Sequence, residues 1–385
     1  MNLPFDDNKL SALMEDQGAD VVLATSKENV RYLLGGYQFF FFAHKDAIGV
    51  SRYQPIVGLP KGAPDKAFYI GNIMEGWQQE VEPLWVPEKR NNQWHTDQAG
   101  KDAADFIRRL GHEKGTVAVE KCFLPADSYE ALQEELPDAK FIDAVYLLEE
   151  LRAVKQPHEL TLLKDASETI VECMLDVMKS TPPGTTMYEV ADEMKKLETQ
   201  RGLDFEYCLT CTGPSFNRAP SNATWDEGNI LSLDSGGNKQ GYLGDLCRMA
   251  VLGEPTTLME DLLGEIQAVQ TAARAVVRPG VTGQEIYDAA LKEQAKCEHD
   301  DQMVFLAHGM GIIQHEAPHL TSSGVVPYPA TYETRGLEPG MVVSIETDIK
   351  NPEVGFVKLE DTVVVTEDGS VGYGDEGRGW NRGGA

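Results

Sequence analysis

Basic residues are scarce in this chain. It carries 34 Lys and Arg against 62 Asp and Glu, a formal net charge of −28. Such a chain repels a phosphate backbone, which excludes nucleic acid as the expected partner and an anionic membrane surface with it. Long hydrophobic runs are missing too. The longest strongly apolar stretch near the start is Phe39–Phe42 with Ala43, stopped by His44 and Lys45. That falls far short of the roughly 20 residues of a membrane-spanning helix. Met1 to Asp7 shows no basic segment leading into an apolar one, so no secretory signal is expected. Cysteine is sparse, with six residues at 122, 173, 208, 211, 247 and 297. In a chain of this length they do not make a disulfide framework, and the expected compartment is a reducing cytoplasm. Cys208 and Cys211 form an isolated CxxC. With no second pair it reads as two strand cysteines, not as a zinc or redox motif.

What is present is ordinary for a globular protein: 42% hydrophobic and 25% charged residues. This excludes collagen-like, coiled-coil and disordered classes. The length of 385 residues implies two or three domains. The acidic surplus admits two uses, solvation in salt and cation binding, and composition does not choose between them.

Residues 1–150 alternate apolar runs with helical stretches. Ala19–Thr25, Pro55–Leu59, Ala67–Ile70 and Thr116–Val119 read as strands; Lys9–Asp16, Asp102–Leu110 and Asp127–Glu135 read as helices. This is an α/β domain. Leu148–Val154 reads as helical. A new segment starts at Lys155-Gln156-Pro157, where proline suits a first helical position, and the second domain takes residues 151–385. That part contains an internal repeat. Pro183–Asp192 matches Pro279–Asp288 at a constant offset, with Pro, Gly, Thr, Glu and Asp in register. Each copy follows a long amphipathic stretch (Glu159–Ser180 and Met259–Val277) and opens another helix with a capping box, Thr186 with Glu189 or Thr282 with Glu285. Duplication predicts a pseudo-twofold α+β domain with a site near the axis.

Five residues of the second domain stand out. Asp234 ends the strand Asn229–Asp234, and Asp245 follows a hairpin turn at Asn238–Gln240 that would bring the two carboxylates side by side. His308 lies in a Gly-rich stretch, Glu346 in the strand Met341–Ile349 and Glu360 in Phe356–Val365. By the period of two, Glu346 shares a face with Ser344, and Glu360 with Lys358. Carboxylates buried in apolar strands cost several kcal/mol unless compensated, at roughly the scale known for unpaired buried charges. Oxygen ligands with one imidazole suit Mn²⁺, Zn²⁺, Co²⁺ or Fe²⁺. Two such ions sharing carboxylates would activate water and polarise a carbonyl.

At these residues the chain resembles the pita-bread metallopeptidase family, which includes prolidase, aminopeptidase P, methionine aminopeptidase and creatinase. The flanks that carry the resemblance are Leu233-Asp234-Ser235-Gly236, the run His308-Gly309-Met310-Gly311 leading to His315-Glu316-Ala317-Pro318, Leu337–Glu346, and Leu359-Glu360-Asp361-Thr362-Val363. Ala19–Leu23 and Glu28–Gly36 resemble the creatinase-type N-terminal domain, which points to the two-domain branch. The resemblance implies an N-terminal creatinase-type α/β domain and a C-terminal pita-bread catalytic domain. It also implies two divalent metal ions, Mn²⁺ first, and a homodimer. Asp234 would chelate one metal and Asp245 would bridge both. His308 would join Asp245 on the second, and Glu360 would bridge. Glu346 would bind metal and shuttle a proton. His315 would contact the substrate and stabilise the oxyanion, with His319 as a further substrate-side group.

Two departures bear on substrate. Prolidase-like members carry a histidine before the first Asp strand, where this chain has Asn217 and Arg218; Arg218 would suit a substrate carboxylate. Glu346 is followed by Thr347-Asp348 and not by Pro-Gly. The resemblance to the two-domain branch also implies that the aromatic run approaches the partner subunit's active site, where Phe40 and Phe41 would form a wall for an apolar or cationic group. The expected function is hydrolysis of a C–N bond in a small Xaa-Pro peptide. Its rival is a small-molecule enzyme of the creatinase, ectoine hydrolase or dimethylsulfoniopropionate lyase type. A non-catalytic binding module is disfavoured because the ligand set is complete.

Overall fold

Strand segments rich in Val and Ile pair early along the chain, and the computed structural model shows how. It describes residues 3–44, 53–323 and 328–384, so Lys45 at the end of the apolar run lies outside the described residues. Two compact units emerge, Met1–Arg152 and Ala153–Ala385.

The first unit holds a six-stranded mixed sheet. Its strands are β1 (Val21–Ala24), β2 (Ile56–Pro60), β3 (Phe68–Asn72), β4 (Glu88–Gln93), β5 (Thr116–Val119) and β6 (Lys140–Asp143), in the order β4-β3-β2-β1-β5-β6. β1 is buried along its whole length because helices cover both faces. The helices are α1 (Asp7–Gln17), α2 (Lys27–Leu33), α3 (Glu75–Val81), α4 (Thr96–Arg109), α5 (Ala126–Glu135) and α6 (Val145–Arg152). Val22 and Ala24 face one core with α1 and α6, while Val21 and Leu23 face another with α4. α6 begins earlier and ends earlier than the expected Leu148–Val154.

The second unit repeats one plan twice. Helices α7 (Pro157–Ser180) and α8 (Met187–Gln200) lead through β7 (Thr185–Thr186), β8 (Asp204–Thr212) and β9 (Thr224–Trp225) into β10 (Ile230–Lys239) and β11 (Tyr242–Val251). Helices α9 (Thr257–Val276) and α10 (Gly283–Gln294) lead into β12 (Met303–Gly309), β13 (Val342–Asn351) and β14 (Gly355–Val365). Both expected capping boxes form, on Thr186 and on Thr282. The main sheet runs β12-β13-β14-β11-β10-β8, so the two halves meet where β14 adjoins β11. β15 (Ser370–Tyr373) pairs with β14 and β16 (Asn381–Arg382) with β11, the two strands at which the halves meet.

Period two then sorts the strands by face. Leu231, Leu233, Leu246 and Ala250 pack under α7 and α8. Ile345, Val357, Leu359 and Val363 pack under α9 and α10. Gln270 of α9 pins the second layer by donating to the carbonyls of Ile345 and Leu359, at 3.1 and 2.6 Å. The opposite face is left to the polar residues.

The hairpin between β10 and β11 forms, with one difference from the sequence expectation. The strand does not end at Asp234. Gly236 and Gly237 continue it, and the reversal occurs at Gln240 and Gly241, both at positive φ (52° and 95°). Gly236 is needed for room: a Cβ there would lie 2.3 Å from the Tyr207 ring. Cys208 and Cys211, three apart on β8, are free and point to opposite faces.

Candidate metal and active site

The polar face of the sheet gathers residues from five strands, β10 to β14. Glu346 and Glu360 are directly opposite each other, and Glu360 is opposite Cys247. Cys247 is opposite Asp234 and Gly236 is opposite Asp245, so the two aspartates lie on one face, offset by two residues and not side by side. His308 is opposite Ser344, which places the imidazole diagonally from Glu346. Asp234, Asp245, His308 and Glu360 are all buried, whereas Glu346 retains 14% side-chain exposure.

Ligand-type atoms of Asp245, His308 and Glu360 lie within 4.8 Å of one another. His308 Nδ1 is 3.2 Å from the Gly309 carbonyl, which leaves Nε2 turned to the carboxylates. Nε2 is buried without a hydrogen-bond partner, 3.6 Å from Glu360 Oε1 and 3.7 Å from Glu346 Oε1. A buried lone nitrogen facing carboxylates in this way fits a divalent cation. Burial alone would lower the His308 pKa, but Glu360, Glu346 and Asp245 outweigh it and push it up to about 9. Burial, then the Glu360 and Asp234 charges, drives Asp245 well above the ordinary carboxylate range. Burial and the Glu360 charge also raise Glu346. Burial opposes ionisation of Glu360 too, yet Lys358 and His308 together hold it well below that range.

Asp234 is engaged differently. Its Oδ2 accepts from Lys358 Nζ at 2.7 Å and is also ion-paired to Arg218. Arg218 lies over the Phe356 ring, 4.8 Å from its centroid. The guanidinium expected to await a substrate carboxylate is therefore already held by a carboxylate of the site. Asn217 is spent on its own loop, its Nδ2 donating to Ala219 O at 2.8 Å.

His315 stacks on His308, ring centroids 3.8 Å apart, and its Nδ1 pairs with the Tyr328 hydroxyl. Burial and the neighbouring His308 lower its pKa to about 3. It is thus a neutral ring, and in the tautomer in which Nδ1 accepts from the Tyr328 hydroxyl its Nε2–H is a donor. His319 is buried and stacks on Tyr328 at 4.9 Å. The loop carrying His315 is anchored by a buried ion pair, Lys155 Nζ to Glu316 Oε1 at 3.1 Å. Phe40 and Phe41 belong to the first unit and form a 3₁₀ turn, not a strand. Phe39 and Phe42 are buried there, while Phe40 is 56% exposed with its ring 4.0 Å from Phe41.

Three contacts escape a reading of the sequence. Tyr207 donates to Asp245 Oδ1 at 2.5 Å, and Gln314 Nε2 donates to Asp245 Oδ2 at 2.7 Å, together orienting that carboxylate. Tyr328 orients His315. Tyr207 and Gln314 carry no signal in the chain, being ordinary polar residues on a strand and in a loop. Lys358 did carry one: it is a base inside the apolar run Phe356–Val365, on the same face as Glu360.

Comparison with known proteins matches residues 161–367 to metallopeptidase family M24 and residues 8–154 to the creatinase/prolidase N-terminal domain. Among curated relatives, an uncharacterized peptidase YqhT of Bacillus subtilis is 26% identical, covering 94% of this chain and 95% of its own. An Xaa-Pro dipeptidase of Lactobacillus helveticus is 28% identical over 74% of this chain and 80% of its own. Among solved structures, an Xaa-Pro dipeptidase from Bacillus anthracis superposes with a TM-score of 0.81 at 22% identity, over 98% of each chain. A prolidase from Thermococcus sibiricus superposes with a TM-score of 0.83 at 18% identity, over 99% of each. The chain belongs to metallopeptidase family M24, on its two-domain, pita-bread, prolidase-like branch, and is a metallohydrolase.

Proposed function

We propose that the protein hydrolyses the C–N bond of a small Xaa-Pro peptide, using a divalent cation held by Asp245, His308 and Glu360. The observation that carries this is the unpartnered, buried Nε2 of His308 facing carboxylates, on the sheet of an M24 domain. Mn²⁺ is the first candidate, with Zn²⁺, Co²⁺ or Fe²⁺ as alternatives. Such a cation, when bound, polarises the scissile carbonyl and acidifies water.

The chain's own residues supply the rest. Glu346 is the least buried of the four acids and its raised pKa makes it an effective proton carrier. It takes the proton from the attacking water and delivers it to the leaving nitrogen. The Nε2–H of neutral His315 donates to the oxygen that gains charge. Tyr207 and Gln314 keep Asp245 in a fixed orientation. A homodimer is part of this reading through the family resemblance, and sedimentation of the purified protein tests it.

Asn217, standing where prolidase-like members carry histidine, favours a second reading in which the same site acts on a small zwitterion. Mn²⁺-loaded protein should therefore be assayed against Xaa-Pro dipeptides and against creatine, ectoine and dimethylsulfoniopropionate. Turnover of Xaa-Pro dipeptides is expected. Cleavage of a zwitterion without Xaa-Pro turnover would overturn the peptidase reading. Asp245→Ala should abolish both metal binding and activity.

A further inference from the structure

Resting on the cation site just proposed, we propose that Lys358 is a built-in second cation. Its ammonium takes the place between Asp234, Glu346 and Glu360, and the protein binds one divalent ion per chain, not two.

The geometry of the ammonium carries the argument. Lys358 Nζ lies 2.7 Å from Asp234 Oδ2, 2.5 Å from Glu346 Oε2 and 2.7 Å from Glu360 Oε2. The three acceptors come from three strands, β10, β13 and β14, and match the three donors of an ammonium. The side chain is only 5% exposed, so it is part of the floor of the site and not a surface residue resting on it. A metal ion using these same oxygens would sit about 2.0–2.6 Å from each. It would overlap Nζ, and the two cations exclude each other.

Charge points the same way. With all four carboxylates ionised and His308 neutral, the states that metal binding requires, the fixed cations Lys358 and Arg218 leave two negative charges. One divalent ion closes that balance. A second would leave the buried site with two uncompensated positive charges, which a low-dielectric environment penalises heavily. The site also divides spatially. Asp245, His308 and Glu360 form the cluster with metal-ligand spacing, and among the described residues Asp234 and Glu346 are not part of it. Asp234 is instead bound on its Oδ2 by both fixed cations.

Metal counting tests this on the full-length protein, independently of activity. The protein is stripped with a chelator and titrated with Mn²⁺ by calorimetry, and its content is checked by elemental analysis and electron paramagnetic resonance. The wild type is expected to bind one Mn²⁺ with the six-line signal of an isolated ion. Lys358→Met is expected to bind two, with the broadened signal of a coupled pair. Asp234→Asn, which retains the shape of the side chain, is expected to keep the single ion. Two tightly bound ions in the wild type would overturn the proposal, as would loss of all binding in Asp234→Asn. A folded Lys358→Met that still binds one ion would also overturn it. Absence of any bound ion in the wild type would instead overturn the cation site itself, so the two failures are distinguishable.

Discussion

Glu198 of α8 lies beneath the strand that carries Asp234, with Oε1 accepting from Ser235 Oγ at 2.8 Å and Oε2 buried without a partner. Burial pushes its pKa from 4.5 up to about 8. The folded protein therefore keeps a proton that the unfolded chain releases. The stability this proton brings is complete below the unfolded value of 4.5 and is lost as pH rises through about 8. Glu198→Gln should match the wild type in thermal midpoint at low pH, exceed it by an amount that grows between pH 4.5 and about 8, and keep that advantage above. Parallel curves across the range would refute the assignment. His315 makes the opposite case. With its pKa lowered to about 3 by burial and by His308, it stays neutral at neutral pH. His315→Ala should reduce kcat by about 10²–10³-fold, the scale of a lost oxyanion donor. It should leave metal content unchanged, since the ring is not one of the clustered ligands.

Elements depend on contacts that cross long distances in the chain. In the first unit, the start of α2 is held by Glu120, which follows β5. Its carboxylate accepts from the backbone of Thr25 (2.6 Å) and Ser26 (3.0 Å) and from Asn29 Nδ2 (2.6 Å). Glu120→Ala leaves several buried donors unsatisfied and should cost about 2–4 kcal/mol, at roughly 1–3 kcal/mol for each stranded group. Urea denaturation measures this directly. In the second unit the repeated capping boxes are local and exposed. Thr186→Ala and Thr282→Ala should each cost about 1 kcal/mol. A cost near zero at one position but not the other would show that the two copies no longer share that role.

At the scale of the whole molecule, the site uses few of the 62 acids. Most of the others lie at exposed positions and repel one another through solvent. Screening shortens that repulsion as the Debye length falls from about 10 Å at 0.1 M salt to about 3 Å at 1 M. The thermal midpoint should rise over that range with NaCl. A midpoint that falls with salt would mean that attractive ion pairs, such as Arg90 with Asp102 and Asp105, dominate the surface. Among the described residues no helix is long and apolar enough to cross a membrane.

The sequence by itself determined the α/β character of the first unit, the repeat in the second and which acids face the polar side of the sheet. These are matters of period and spacing: alternation selects a face, and a threonine three residues before a glutamate starts a helix. Even the departure at Asn217 was readable as a missing imidazole. Exact strand ends were not readable, because Gly236 and Gly237 look like a turn until Tyr207 is seen to occupy the space above them. The state of each acid was decided only in three dimensions. Lys358 is two residues from Glu360 in the chain, but 124 residues from Asp234, and only the meeting of β10, β13 and β14 puts its ammonium against three carboxylates. Coulombic interaction depends on separation in space and on burial, not on distance along the chain. The same carboxylate set therefore reads as a two-metal site in sequence, whereas in the folded protein a lysine ammonium already lies against three of its four members.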